Sequence, residues 1–288
     1  MSAIGFHIST TKGIVKSFDR GLVQGADAFQ IWTGSSHRYQ TKMIDEKTCT
    51  EVKKYVKENE IFLISHSPYI LNFAVDHTED EGEALDRYIK DLINIVNLGG
   101  VGSVLHMGSN CKKYEQSMED AYKNFVKNLE YVIERVPKEA FIILENMAGG
   151  GDRMCCRLKD WSYFWNEFVP SKLKDRIYWC VDTAHLFVAG EYNISKVKEV
   201  ERFYNDFERE IGWDNILCFH FNGSKHKFAS KHDVHADIGP QKSGEIYSAG
   251  LMELARIAFD TKKHLIMEIP ADEYPVQDQL DLLRKWSI

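Results

Sequence analysis

The chain of 288 residues has only six prolines, and none of its six cysteines stands in a CxxC pair or a spaced framework. That pattern excludes a disulfide scaffold, and the cysteines read as reduced thiols of an intracellular protein. The opening "MSAIGFHISTTKG" lacks a basic region followed by a long apolar run, so no secretory signal is expected. No stretch approaches the roughly 20 apolar residues that a membrane-spanning helix needs, so no membrane partner is expected. No Pro-, Ser- or Gly-rich linker divides the chain, and a single domain over residues 1–288 is expected. Basic residues are also outnumbered, 36 Lys and Arg against 43 Asp and Glu. The formal net charge of −7 argues against a phosphate-rich partner. Acidic residues that hold divalent cations would reverse that sign locally.

What the chain does have is alternation. Short apolar runs recur as "AIGFHI" (3–8), "AFQIWT" (28–33), "IFLISH" (61–66), "SVLHMG" (103–108), "FIILEN" (141–146), "IYWCVD" (177–182), "ILCFHFN" (216–222) and "HLIMEI" (264–269). Each is apolar on both faces, as parallel strands covered by helices are. Between them lie helical stretches such as "DEKTCTEVKKYVKEN", "GEALDRYIKDLINIVNLGG" and "SMEDAYKNFVKNLEYVIERV". In the last, Ser117 is placed to cap the helix that Glu119 and Asp120 help to start. Eight strands alternating with about eight helices predict a closed (β/α)8 barrel. An open doubly wound sheet is disfavoured, because "HISTTKG" after the first strand is no glycine-rich phosphate loop.

The expensive residues fall in phase. His66, His106, Glu145, Asp182, His220 and Glu268 end the third to eighth predicted strands, spaced by 40, 39, 37, 38 and 48 residues. Each spacing is one βα unit, so the set converges on the C-terminal rim. Taken singly, a strand-end histidine is more often a hydrogen-bonded core residue, and a strand-end carboxylate often caps the next helix. Six such coincidences in six consecutive units point instead to metal ligands. Imidazole and carboxylate without thiolate suit zinc or manganese. A second set lies in "KHDVHADIG" (231–239), where Asp233 and His235 share a side of an extended segment and join His185. Three ligands open to solvent suit a catalytic zinc. His7 ends the first strand without a visible partner, either as a phosphate contact, as a support behind the ligands, or as a core histidine. Histidines 37, 77, 226, 232 and 264 read as loop or surface residues by default.

The motifs "HSPYILN" (66–72), "LHMGSN" (105–110), "ILENMAGGG" (143–151), "VDTAHLFVAG" (181–190), "HFNGSK" (220–225), "DVH" (233–235) and "MEIP" (267–270) run in order from "GFHIS" to the last strand. Together they resemble the signature of the endonuclease IV family of apurinic/apyrimidinic endonucleases. The resemblance implies a xylose-isomerase-like TIM barrel with three zinc ions on its rim, manganese being acceptable at one position. It implies that His66, His106 and Glu145 hold the first ion. Glu145 then bridges to a second, completed by Asp182, His220 and Glu268, and His185, Asp233 and His235 hold the third. The implied substrate is double-stranded DNA with an abasic site, met by a monomer. The phosphodiester 5′ to the lesion is hydrolysed to a 3′-hydroxyl and a 5′-deoxyribose phosphate. Glu145, Asp182 and Glu268 are the implied catalytic carboxylates, and the nucleophile is a hydroxide shared by two metals. Tyr69 and Ile70 match the positions that wedge into the duplex, an established way to open a base step. Turning out an abasic nucleotide costs less than flipping a paired base.

The departures lie on the DNA-facing side. His37 stands where the family carries a minor-groove arginine, which Arg38 supplies by a one-residue shift. "HMG" replaces His-Pro-Gly, "DVH" has valine where an arginine often contacts phosphate, and "GPQKSGEIY" is rearranged. Two other readings compete. A sugar isomerase or epimerase of the same barrel superfamily uses a set like Glu145, Asp182, His220 and Glu268, without the second cluster or the wedge. A non-catalytic nucleic-acid-binding barrel would have lost ligands, and here all nine positions are filled.

Overall fold

The computed structural model describes residues 2–78 and 82–287. Eight parallel strands close into a barrel: β1 (Ile4–His7), β2 (Ala28–Ile31), β3 (Phe62–His66), β4 (Gly102–His106), β5 (Phe141–Glu145), β6 (Ile177–Asp182), β7 (Ile216–His220) and β8 (His264–Met267). Neighbours follow chain order, and β8 returns to pair with β1. Helices α1 (Ile14–Val23), α2 (Glu46–Glu58), α3 (Glu83–Asn97), α4 (Met118–Ile133), α5 (Leu158–Tyr163), α6 (Ser171–Lys174), α7 (Thr183–Ala189), α8 (Val197–Glu210), α9 (Ser248–Asp260) and α10 (Val276–Trp286) occupy the connections. Caps act where the sequence offers them. Asp45 accepts from Thr48 N at the start of α2, and Ser117 with Asp120 forms a reciprocal capping box on α4.

Two apolar layers hold the barrel. The outer one fills the space between strands and helices. The inner one is a separate cluster containing Ala28, Ile64, Val104, Ile143, Cys180, Cys218 and Ile266, one residue from each of β2 to β8. Strand side chains repeat with a period of two. Each residue two places further on therefore also faces the barrel axis, one layer nearer the rim. Those residues are Gln30, His66, His106, Glu145, Asp182, His220 and Glu268, with His7 two beyond Gly5 on β1. The ladder brings neighbours level, pairing His106 with Glu145 and Asp182 with His220.

Several strands stop before the ends of their apolar runs. Thr33, Asn146, Asn222 and Ile269 lie past the ladder, and Glu268 follows β8 rather than ending it. Thr33, Asn146 and Asn222 turn into the loops, where their side chains bond Asp91, the Asp182 backbone and the Asp182 carboxylate. His264 also corrects its default placement. It begins β8, stacks on Phe62 with ring centroids 3.6 Å apart, and accepts from Ala3 N. After β7 the chain folds back over the rim. Gly223–Ser224 pairs antiparallel with His235–Ala236, and Lys242–Ser243 with Ile246–Tyr247. Buried Asp237 accepts from the backbone N–H groups of Ala271, Glu273 and Tyr274, tying this excursion to the loop after β8.

Helix α1 docks through Phe29 of β2, which stacks on Phe18 at 4.9 Å and meets Phe6 edge-on. Gly21 makes the approach possible, since a Cβ there would lie 2.3 Å from the Phe29 ring. Phe29→Ala is expected to cost about 3–5 kcal/mol in urea unfolding, because the site cannot collapse around a lost ring.

Candidate metal centre

The centre is built around Glu145, which is fully buried. Its Oε2 lies 3.2 Å from His66 Nε2 and 2.9 Å from His106 Nε2. Its Oε1 lies 2.9 Å from His220 Nδ1 and 3.6 Å from His185 Nδ1. One carboxylate thus presents its two oxygens to two different imidazole sets, the geometry of a bridge. Glu268 Oε2 approaches His220 Nδ1 at 3.2 Å from the other side. Three groups bring ligand atoms within 4.8 Å of one another: His66 with Glu145 and His220, Glu145 with Asp182, His220 and Glu268, and Asp182 with His185 and His235.

Asp182 does two jobs. Its Oδ1 caps α7 by accepting from His185 N at 2.7 Å. Its Oδ2 faces the centre, 4.0 Å from His220 Nδ1 and 3.5 Å from His235 Nε2. The cap expected of a strand-end aspartate is present on one oxygen, and the other is left turned toward the histidines of the rim. His185 turns its Nε2 to Asp233 Oδ2 at 3.0 Å, and His235 Nε2 lies 3.3 Å from Asp233 Oδ1. His185, Asp233 and His235 therefore meet over the rim, with Asp182 between them and the deeper set.

Rear nitrogens are tied down. His66 Nδ1 donates to Ser67 O (2.7 Å), His185 Nδ1 to Asn146 O (2.8 Å), His235 Nδ1 to Glu268 O (3.0 Å) and His220 Nε2 to Gln30 Oε1 (2.8 Å). Such support fixes tautomer and ring direction, leaving the other ring nitrogen to face the cluster. His185 Nε2 and His235 Nε2 are buried without a hydrogen-bond partner, although each lies at ion-pair distance from Asp233. The contacts are close but badly angled for hydrogen bonds, as expected of atoms aimed at a common point rather than at one another. The donor set fits zinc or a similar divalent ion.

Three supports lay outside the sequence reading. Gln30 Nε2 donates to Glu268 Oε1 at 2.6 Å and to His7 Nδ1 at 3.0 Å. Asn146 Oδ1 accepts from Asp182 N, and Asn222 donates to Asp182 Oδ2 while accepting from Glu268 N. Gln30 carried a usable signal, as the one polar residue of strand β2, at the phase of the strand-end histidines and carboxylates. His7 finds its partners here, with Glu268 Oε1 at 3.9 Å.

Charge follows the same plan. Burial alone would raise Glu145, but His220 and His106 hold it well below the usual carboxylate range. Burial likewise opposes ionisation of Glu268, and His220 brings it down to about 2. Against the burial penalty, Glu268 and Glu145 lift His220 to about 10, and Asp182 and Asp233 lift His235 to about 9. His7, where burial outweighs the pull of Glu268, falls to about 4 and stays neutral. In the metal-free chain, protons on His185, His220 and His235 carry positive charge that the carboxylates require. A raised histidine pKa stabilises the fold fully below pH 6.5, and that gain is lost as pH rises through the folded value. The melting temperature of metal-stripped protein is therefore expected to fall from pH 6.5 to about 10. A flat or rising profile would contradict the proton-filled centre.

The outer rim carries aromatics. Tyr69 is 56% exposed, and its ring lies 5.4 Å from Trp32, 5.8 Å from His66 and 5.6 Å from His106. Ile70 is half-buried, and its carbonyl accepts from Tyr39. His37 and Arg38 are exposed on the loop after β2, with the His37 ring 6.4 Å from Tyr69. That loop is pinned from beneath by α3. Fully buried Arg87 pairs with Asp91 at 2.8 Å and donates to Ser35 O and Arg38 O; Thr33 donates to Asp91; Asn94 bonds Lys42 O and Ile44 N. Arg87→Met strands a buried carboxylate and is expected to cost about 3–5 kcal/mol. Arg87→Met with Asp91→Leu should recover stability yet leave residues 33–44 exchanging amide hydrogens faster, as read by mass spectrometry.

The family model described as a xylose isomerase-like TIM barrel matches residues 23–286. A protein named endonuclease 4 from Acanthamoeba polyphaga mimivirus is 31% identical over 93% of this chain and 86% of its own length. Another so named, from Trichlorobacter lovleyi, is 28% identical over 97% of this chain and 96% of its own. Among solved structures, endonuclease IV from Thermus thermophilus superposes with a TM-score of 0.78 at 22% identity, covering 99% of this chain and 98% of its own. A D-tagatose 3-epimerase-like protein shares the fold at a TM-score of 0.71 and 14% identity, over 99% of this chain and 96% of its own. The barrel, its ligand-bearing rim and these relatives lead to one conclusion: the chain belongs to the endonuclease IV family of xylose isomerase-like TIM barrels.

Proposed function

We propose that the protein is a zinc-dependent DNA repair endonuclease that hydrolyses the phosphodiester 5′ to an abasic site in duplex DNA. The products are a 3′-hydroxyl and a 5′-deoxyribose phosphate. The observation that carries the reading is Glu145, whose two oxygens serve separate imidazole sets at the mouth of the barrel. His66, His106 and Glu145 would hold one ion, Glu145, Asp182, His220 and Glu268 a second, and His185, Asp233 and His235 a third. Zinc bound there would supply Lewis acidity, to ionise a water near neutral pH and to neutralise charge at the reacting phosphodiester.

The chain's own part is to hold this set and exclude competing contacts. Asn222 and Asn146 fix Asp182, while Gln30 fixes both Glu268 and His220. His7 stays neutral behind Glu268 and sets its direction through Gln30. Tyr69 and Ile70 form the wedge, with His37 and Arg38 reaching the minor groove from the pinned loop. A sugar epimerase would use Glu145, Asp182, His220 and Glu268, but it leaves His185, Asp233 and His235 without work. Metal analysis separates the readings, since about three zinc ions per chain fit the nuclease and one or two an epimerase.

The decisive measurement is incision of a duplex carrying one tetrahydrofuran abasic analogue by metal-replete protein. Absence of a cut on the 5′ side would sink the function. Glu145→Ala is expected to lower incision by roughly three orders of magnitude, the worth of several kcal/mol at the transition state. Tyr69→Ala is expected to weaken binding of the damaged duplex about tenfold, more than it slows turnover.

A further inference from the structure

Beside the metal centre the rim opens a cavity of about 280 Å³, lined by Tyr69, Asn72, His106, Ser109, Arg153 and Asp233 among others. Arg153 is the only lysine or arginine in that lining. Among the described residues no carboxylate pairs with its guanidinium, and its side chain makes one long hydrogen bond, Nη1 to Gly149 O at 3.4 Å. The backbone beneath it is firm. Residues 152–154 pair with 108–110 through Asn110 N to Asp152 O (2.8 Å) and Met154 N to Gly108 O (3.0 Å). Ser109 stands directly opposite Arg153 in this antiparallel bridge. Opposed residues of such a pair share a face, with Cβ atoms about 5 Å apart. The Ser109 hydroxyl has no hydrogen-bond partner among the described residues, while Asn72 locks the Ser109 backbone from both sides, at 3.0 and 2.9 Å. Gly149, Gly150 and Gly151, with φ of 89°, 87° and 58°, form the sharp return that brings this segment from β5 to the ribbon.

An unneutralised guanidinium and a free hydroxyl on one rigid face, at the edge of a carboxylate-rich centre, call for an anion from outside. We propose that Arg153, with Ser109, clamps a phosphate of the DNA strand next to the reacting bond. The proposal rests on the nuclease reading for the identity of the anion. Asp233 and His106 line the same cavity and belong to the proposed ligand sets, so a phosphate held there is adjacent to the centre. A guanidinium grips two phosphate oxygens at once, whereas an ammonium acts as a point charge.

The test measures equilibrium binding of the metal-loaded protein to an abasic-analogue duplex with a hydrolysis-resistant phosphorothioate at the scissile position. Fluorescence anisotropy is recorded across a salt series for wild type, Arg153→Gln and Arg153→Lys. Arg153→Gln is expected to weaken binding about tenfold and to flatten the slope of log K against log salt by about 0.9, one released counterion. Arg153→Lys should restore the slope but only part of the affinity, and in turnover the loss should fall on KM. Zinc content and melting temperature serve as controls for folding. An unchanged slope in a folded Arg153→Gln variant overturns the clamp, and it leaves the nuclease standing if wild type still incises. Binding without incision by wild type removes the nuclease reading, while the slope still decides the clamp. A wild type that does not bind the duplex removes both.

Discussion

The rim depends on keeping one carboxylate ionised where no water reaches it. An unpaired buried carboxylate is too costly to persist and would take up a proton. Glu145 stays charged because His220 faces one of its oxygens and His106 the other. His220 in turn needs the carboxylates, since burial alone would strip it of its charge. Neither half is stable without its complement. The barrel must deliver both to one point, and strand alternation does so by setting each ligand two residues beyond an inward-facing core residue.

This mutual dependence explains why the polar supports matter as much as the ligands. Ring nitrogens of His66, His185, His220 and His235 that face away from the centre are satisfied by protein oxygens. If they were free, each imidazole could rotate and satisfy itself elsewhere, and the cluster would loosen. Asp182 illustrates the economy. Spending one oxygen on the α7 cap orients the other, because the cap fixes the carboxylate plane. His185, whose backbone N–H makes that cap, is thereby held in the turn that carries it to Asp233.

Much of this was legible in the chain because the costly residues share a phase. An imidazole or carboxylate at the end of an apolar strand is conspicuous, and six of them one βα unit apart define a rim. The same rule reached Gln30 in principle, but a neutral amide in "AFQIWT" carries no metal-ligand meaning until Glu268 and His220 are seen beside it. Asn146 and Asn222 were absorbed into strand runs that in fact end at Glu145 and His220, since apolar composition does not mark where the ladder stops. The α3 spine of Arg87, Asp91 and Asn94 was invisible for another reason. On a helix, charged residues four apart look like a solvated pair. Only tertiary packing puts them under the loop after β2, where Arg87 bonds Ser35 O and Arg38 O.

That spine bears on how the family pattern has drifted in this chain. The centre holds all nine candidate residues, while the loops around it carry His37, Val234 and the hairpin at 242–247; Met107, expected on the DNA-facing side, is instead fully buried in the outer core. These buried positions are over-determined, because losing one leaves several buried charges unmatched. A loop contact to an external polyanion is not, since a cation can serve from any neighbouring position that reaches the same phosphate. The ribbon joining residues 108–110 to 152–154 supplies such a position, with Arg153 on a backbone held by two hydrogen bonds. Buried electrostatics thus constrain the centre residue by residue, whereas solvent-facing recognition constrains only where positive charge stands. The deep half of the site is therefore the half that sequence reading resolves best. The surface half must be rebuilt for each chain from its own geometry.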